Sequence, residues 1–175
     1  MVDKRKSKTK RTPAKKPRAS PGSGAQDGVV DEWGNQWNRC MPLSEETLSE
    51  VETQLRINIP ADLRKLFLSC NGGRPEKTYF GTRQIEVGIG SVLPIRPPAS
   101  HKGSSFEATY QRMNRSGLPS KLLPFAYDTG NAGIFCLDAE SGEIVYWVHN
   151  DPEYPIKKVT TSLTNFLSNL DLPPY

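Results

Sequence analysis

Two histidines and three cysteines are all that this 175-residue chain offers as imidazole or thiol ligands. His101 and His149 stand alone, with no HExxH or other paired spacing, which argues against a zinc hydrolase. Cys40, Cys70 and Cys136 are odd in number and irregular in spacing, so neither a disulfide framework nor a CxxC metal site is expected. That usage points to a reducing, cytoplasmic compartment. Long apolar runs are also missing. None approaches the roughly eighteen residues of a membrane helix, and no apolar stretch follows the basic start as a signal peptide would require. No membrane contact is expected. A phosphate-cradling loop is lacking as well: Gly88-Ile89-Gly90 supplies two glycines, but Pro94 follows where a helix should start. No metal and no cofactor is expected.

Apolar residues reach 35%, below the usual level of about 45–50%. The deficit is concentrated at the N-terminus. Residues 1–28 hold nine Lys/Arg against two Asp, a local charge of +7. The whole chain carries +4, which leaves 14 Lys/Arg against 17 Asp/Glu, a charge of −3, in residues 29–175. The basic character thus belongs to the tail. A mildly acidic remainder argues against a fold that grips nucleic acid electrostatically. Segment 1–28 has almost no large apolar side chains and reads as a disordered basic tail. It could serve as a solubilising arm, as a tether making weak contact with nucleic acid or another acidic surface, or as a targeting signal. Residues 29–175 are long enough to fold as one domain without metal or disulfide.

Folding is expected to begin near Val29. Trp33 and Trp37 lie four residues apart in a polar stretch and must pack on the domain's own core or on a partner. Ser44 is a good N-cap, with Glu45 and Glu46 in the first turn and Leu48, Val51 and Leu55 forming one apolar stripe. Ile59-Pro60 restarts the chain, Pro60 suiting the first position of a second helix. That helix buries Leu63, Leu66, Phe67 and Cys70, and Asn71-Gly72-Gly73 stops it. The period then shortens. Thr78-Tyr79-Phe80 and the alternation through Ile85, Val87 and Ile89 read as strands. Phe106, Tyr110 and Met113 mark a third helix stopped by Gly117. Leu122–Tyr127, Ile134–Leu137 and Ile144–Val148 read as strands, the last two flanking a Ser-Gly hairpin loop. A closing helix in TTSLTNFLSNLDL is expected to be capped by Thr160 or Thr161. The fold class is α+β: a mixed or antiparallel sheet of about five or six strands with packing helices.

No constellation of catalytic groups is convincing. Cys136 and His149 could pair in principle, but Cys136 lies within Ile134-Phe135-Cys136-Leu137, where a small buried hydrophobe fits better. Asp128 and Asp138 bracket a Gly-Asn loop, and turn formation explains both. An enzyme is not expected.

PLSEETLSEVETQLRINIPADLRKLFLSCNGGRPE resembles the opening of the SUKH superfamily, the Smi/Knr-type domain. Its marks are an acidic helix, a Leu/Ile-Pro corner (here Ile59-Pro60) and a helix ending in Asn-Gly-Gly (here Asn71-Gly72-Gly73). LLPFAYDTGNAGIFCLDAESGEIVYWVHND is similar to the family's second block, and SLTNFLSNL to its closing helix. The turn Asp128-Thr129-Gly130-Asn131 departs from the compact form common in relatives, and the basic tail lies outside the family domain. The resemblance implies a single SUKH-like domain over residues 29–175 that binds a protein partner and has no enzymatic activity. Bacterial members are typically immunity proteins that neutralise a cognate nuclease or deaminase toxin, whereas fungal members act in cell-wall synthesis and signalling. Under that reading Asn71, Gly72, Gly73, Asp128 and Asn131, with the acids Asp151 and Glu153, are the expected contact residues.

Overall fold

In the computed structural model, which describes residues 24–83, 85–148 and 156–174, pairing starts at Gln26 rather than Val29. The Gln26 backbone exchanges hydrogen bonds of 2.7 and 2.8 Å with Cys40. Most of the basic tail, together with His149, Asp151 and Glu153, lies outside the described residues. Strands β1 (Val29–Val30) and β2 (Gln36–Asn38) form a short antiparallel pair. Between them Asp31 organises the turn. Its Oδ1 accepts from the backbone N–H groups of Trp33 (2.9 Å) and Asn35 (2.8 Å), and its Oδ2 accepts from the Trp37 indole (2.8 Å). Trp37 is fully buried, so it packs on the domain's own core. Trp33 is half-buried and donates to Thr164.

Helices α1 (Glu45–Leu55) and α2 (Ala61–Cys70) follow, with Ser44 capping α1 as expected. Pro60 sits one position earlier than anticipated, as the N-cap of α2 in an extended conformation rather than its first helical residue. The corner is held by Glu52, whose carboxylate accepts from the Ile59 backbone (2.7 Å) and from Arg64 (2.6 Å). Arg64 also reaches Glu45 (2.8 Å), tying α2 back to the start of α1. After Gly72 (φ 70) the chain enters β3 (Arg74–Pro75), which joins β2 as a third strand that the sequence reading did not include.

The main sheet is β4 (Tyr79–Gly81), β5 (Glu86–Val92), β6 (Leu122–Asp128), β7 (Gly133–Asp138), β8 (Ile144–Val148) and β9 (Ile156–Thr160). All pairings are antiparallel and each strand lies beside its predecessor, so the architecture is α+β with six strands in the main sheet. Helix α3 (Phe106–Arg115) inserts between β5 and β6 and packs on β6. Period-two alternation sends Phe135, Leu137 and Ile144 into the main core, and Ile134, Cys136, Val145 and Trp147 to the opposite face with Met113 of α3. Burial on both faces explains why β6 to β8 read as near-continuous apolar runs. Pro124 cannot donate to the ladder, and the register shifts beside it, as a proline inside a central strand requires.

Helix α4 (Leu163–Ser168) is shorter than the expected closing helix, and its cap is Ser162 rather than Thr160 or Thr161. The reason is that Thr160 is still paired with Ile144 in the sheet, and its hydroxyl donates to Asn165 Oδ1 (2.6 Å). Phe166 of α4 meets Phe80, Phe125 and Phe135 at centroid distances of 5.0–6.1 Å, which seats α4 against the sheet.

Candidate functional site

A cleft of about 1080 Å³ opens where the N-terminal arm, the end of α2, the end of β5 and the loop before α3 converge. Gly72, Pro94, Tyr127 and Asn131 are among the residues that line it, as are Arg39 and Arg74. Its floor is built from Asn71. The Asn71 side chain is almost fully buried, with Oδ1 accepting from the Ile95 N–H (2.7 Å) and Nδ2 donating to the Ile95 carbonyl (3.1 Å). Its own carbonyl accepts from Met41 N–H (2.8 Å). One asparagine thus ties three segments together at the point where α2 ends.

Gly72 lies in the left-handed region and its missing Cβ leaves room for Met41 and Pro94. Gly73 is buried beside Cys40 Sγ and faces away from the cleft. Burial pushes the Cys40 thiol up and the Cys70 thiol up to about 12, so both stay protonated near neutral pH. Burial likewise raises the Cys136 thiol, and its possible partner His149 lies outside the described residues.

Asp128 ends β6 at the cleft mouth. Its Oδ1 accepts from the Ala132 N–H (2.8 Å) and its Oδ2 from the Tyr146 hydroxyl (2.7 Å). Burial, then this carboxylate, raise the Tyr146 phenol well above its ordinary range. Asp128 therefore shapes the 128–132 turn, as the sequence suggested, and the turn presents exposed Asn131 (φ 55) to the cleft. Asp138 is a separate feature. It accepts from the Glu140 and Ser141 N–H groups (2.9 and 3.2 Å) and meets Lys121 at 3.1 Å, at the other end of β7. The two aspartates do not form a site together.

The structure thus gathers Asn71, Gly72 and Asn131 around one cleft, with Asp128 supporting its rim and Gly73 behind its wall. Asp151 and Glu153 lie outside the described residues. The sequence reading missed Arg39, Arg74, Arg96 and Lys102, which also line the cleft. The signal available was that Arg74 directly follows the helix stop, but nothing in the sequence joined it to the others. Among the described residues, no group of three or more His, Cys, Asp or Glu side chains could hold a metal ion, and no helix is long and apolar enough to cross a membrane.

Residues 42–169 match the sequence profile described as SMI1 / KNR4 family (SUKH-1). No curated protein matches the chain. A solved crystal structure of a protein from Pseudomonas syringae pv. tomato is similar at 22% identity, covering 64% of this chain and 74% of that one with a TM-score of 0.43.

Proposed function

The chain belongs to the SMI1 / KNR4 family, and on that footing we propose that it is a non-enzymatic, protein-binding domain that neutralises a cognate toxin by direct contact. The observation that carries this reading is the cleft. It is large, and the exposed side chains of Arg39, Arg74, Lys102 and Asn131 line it beside the buried Asn71. The carboxylates and thiols of the described residues weighed above as reactive groups are spent on structure: Asp128 and Asp138 hold turns, and Cys40, Cys70 and Cys136 are buried thiols. The nuclease or deaminase class of the toxin rests on the family resemblance, and a cytoplasmic location suits buried free thiols.

The test is a paired capture from the native lysate with the full chain and with residues 24–175 as baits. The shorter bait starts at Gly24 because Gln26 pairs with Cys40. One stoichiometric protein held by both baits is the expected result, and no protein retained by either overturns the reading. Partners retained by the full chain alone would favour the second reading, a regulatory or scaffold module tethered to nucleic acid or another acidic surface. The charge of +7 in residues 1–28 is what supports that alternative. Asp151 and Glu153 remain proposed contacts: reversing both charges should slow association with the captured protein, and an unchanged on-rate removes them.

A further inference from the structure

The cleft carries charge of the opposite sign to the domain that holds it. Arg39, Arg74, Arg96 and Lys102 line it together with His101, and among the described residues Asp27 is the one carboxylate in its lining. Residues 29–175 nevertheless sum to −3, so the cluster is not a sample of the average surface. Arg96 is already engaged, donating to Gln54 Oε1 (2.7 Å) and lying 3.7 Å from Glu107. Arg39, Arg74 and Lys102 are exposed, and their side chains have no hydrogen-bond or ion-pair partner among the described residues. Asp27 forms no ion pair with them among the described residues; its Oδ1 accepts from the backbone N–H of Arg39 (2.7 Å). The walls are also held in an unusual backbone state. Arg39 (φ 62), Arg96 (φ 47) and Asn131 (φ 55) all lie in the left-handed region, which side chains other than glycine disfavour.

We propose that this cleft receives a short acidic segment of the partner protein, its carboxylates meeting the guanidinium groups of Arg39 and Arg74 and the ammonium group of Lys102. The inference rests on the protein-binding reading above and names the chemistry of what is bound. Planar guanidinium groups match carboxylates bidentately, and three unpaired cations in one concavity attract such a segment over a distance. The volume of about 1080 Å³ reaches the top of the range for small-molecule pockets, about 300–1,000 Å³, and so suits a peptide. The chain's own tail is an unsuitable occupant, because residues 1–23 carry nine Lys/Arg against one Asp. A nucleic acid would want flat aromatic platforms for its bases. Among the described residues Tyr127 is the one Phe, Tyr or Trp lining the cleft, and it is half-buried with its hydroxyl 3.5 Å from Thr109 Oγ1.

The experiment measures fluorescence anisotropy of a labelled octaglutamate peptide with the full chain and with Arg39→Ala/Arg74→Ala/Lys102→Ala. Loss of three ion pairs predicts binding about tenfold weaker in the triple variant, a difference that shrinks as ionic strength rises from about 0.05 to about 0.5 M. All three positions are exposed, so melting curves of parent and variant should coincide, and Arg39→Lys/Arg74→Lys should retain most of the binding. Equal binding of octaglutamate by parent and triple variant overturns the inference, because the tail then accounts for the affinity. An equal loss for a dodecathymidylate probe also overturns it, in favour of an unselective polyanion site. The protein captured by the baits separates the two levels of the argument. If it stays fully bound to the triple variant, the inference falls and the protein-binding reading stands. If no protein is captured by either bait, that reading falls while the peptide titration still decides the chemistry of the cleft.

Discussion

Asp31→Ala should cost this protein a large part of its stability, although Asp31 lies in a two-strand turn far from the sheet's centre. The substitution strands the Trp37 indole N–H, which is fully buried, and the Asn35 backbone N–H, which is nearly so. It also releases the Asn35 amide, whose Nδ2 otherwise bridges Asp31 (3.3 Å) and the Leu167 carbonyl (2.9 Å). Each buried donor left without an acceptor costs about 1–3 kcal/mol. Two such donors plus a loosened α4 contact give about 3–5 kcal/mol, set against a total of about 5–15 kcal/mol for a typical domain. At about 2–4 °C per kcal/mol for a domain of this size, the melting temperature should fall by about 10 °C. Asp31→Asn keeps the shape and one acceptor but turns an NH₂ toward a donor, and about 1–2 kcal/mol is expected. Urea titrations followed by tryptophan fluorescence, with thermal melts by circular dichroism, measure both. A change below about 1 kcal/mol for Asp31→Ala would show that water reaches and satisfies the Trp37 indole, and the argument from buried donors would fail.

Three further outcomes are expected. Asn71→Ala leaves the Ile95 N–H and carbonyl unpaired at a buried site; a loss of about 2–4 kcal/mol in urea unfolding is expected, and a neutral result would deny that Asn71 carries the cleft floor. Burial pushes the Asp138 carboxyl up, but the Glu140 and Ser141 N–H groups and Lys121 outweigh it and hold it below the ordinary value. Its contribution is therefore present above the unfolded pKa of about 3.9 and is lost as the pH falls through that value toward the lower folded one. Asp138→Asn should flatten the acid limb of the stability–pH curve there, and an unaltered limb would refute the assignment. Burial raises all three thiols, so Ellman's reagent at pH near 8 should titrate none of the cysteines in the native protein and three in denaturant; stoichiometric native reaction at any of them would contradict the packing.

What the sequence displayed was burial with a period. Leu48, Val51, Leu63, Leu66 and Phe67 marked α1 and α2 because each faces one core, and the alternation through β7 and β8 was visible because both faces are covered. The β1-β2-β3 sheet was not legible. Its strands are two or three residues long, and they exist because Asp31 folds the chain back and because Arg74-Pro75 arrives beside Trp37 from across α1 and α2. The extent of α4 was misjudged for a related reason: Thr160 is as good a cap as Ser162 in isolation, and only its pairing with Ile144 removes it. At the site, Asn71, Gly72 and Asn131 stood out as turn chemistry, although Asn71 serves the floor rather than the surface. The cations escaped notice because charge summed along a segment hides what folding brings together. Arg39 follows β2, Arg74 opens β3 and Lys102 lies in the loop before α3, and the −3 of residues 29–175 says nothing about their meeting.

The strand order of the main sheet also bears on how the chain is made. After β4, each strand pairs with the one before it, so every ladder is available soon after its second strand leaves the ribosome, and loop closure costs little at any step. The joins that span the sequence converge on the stretch 164–171. Trp33 bonds to Thr164, Asn35 to Leu167, and Tyr79 to Asp171 through two backbone hydrogen bonds. The earliest turn and the first edge of the meander thus wait, with donors and acceptors unmet, for α4 and the residues that follow it. Synthesis can lay the sheet down piecemeal, but cooperativity arrives in a single closing event, and until then the open β4 edge is where a nascent chain would pair with its neighbour.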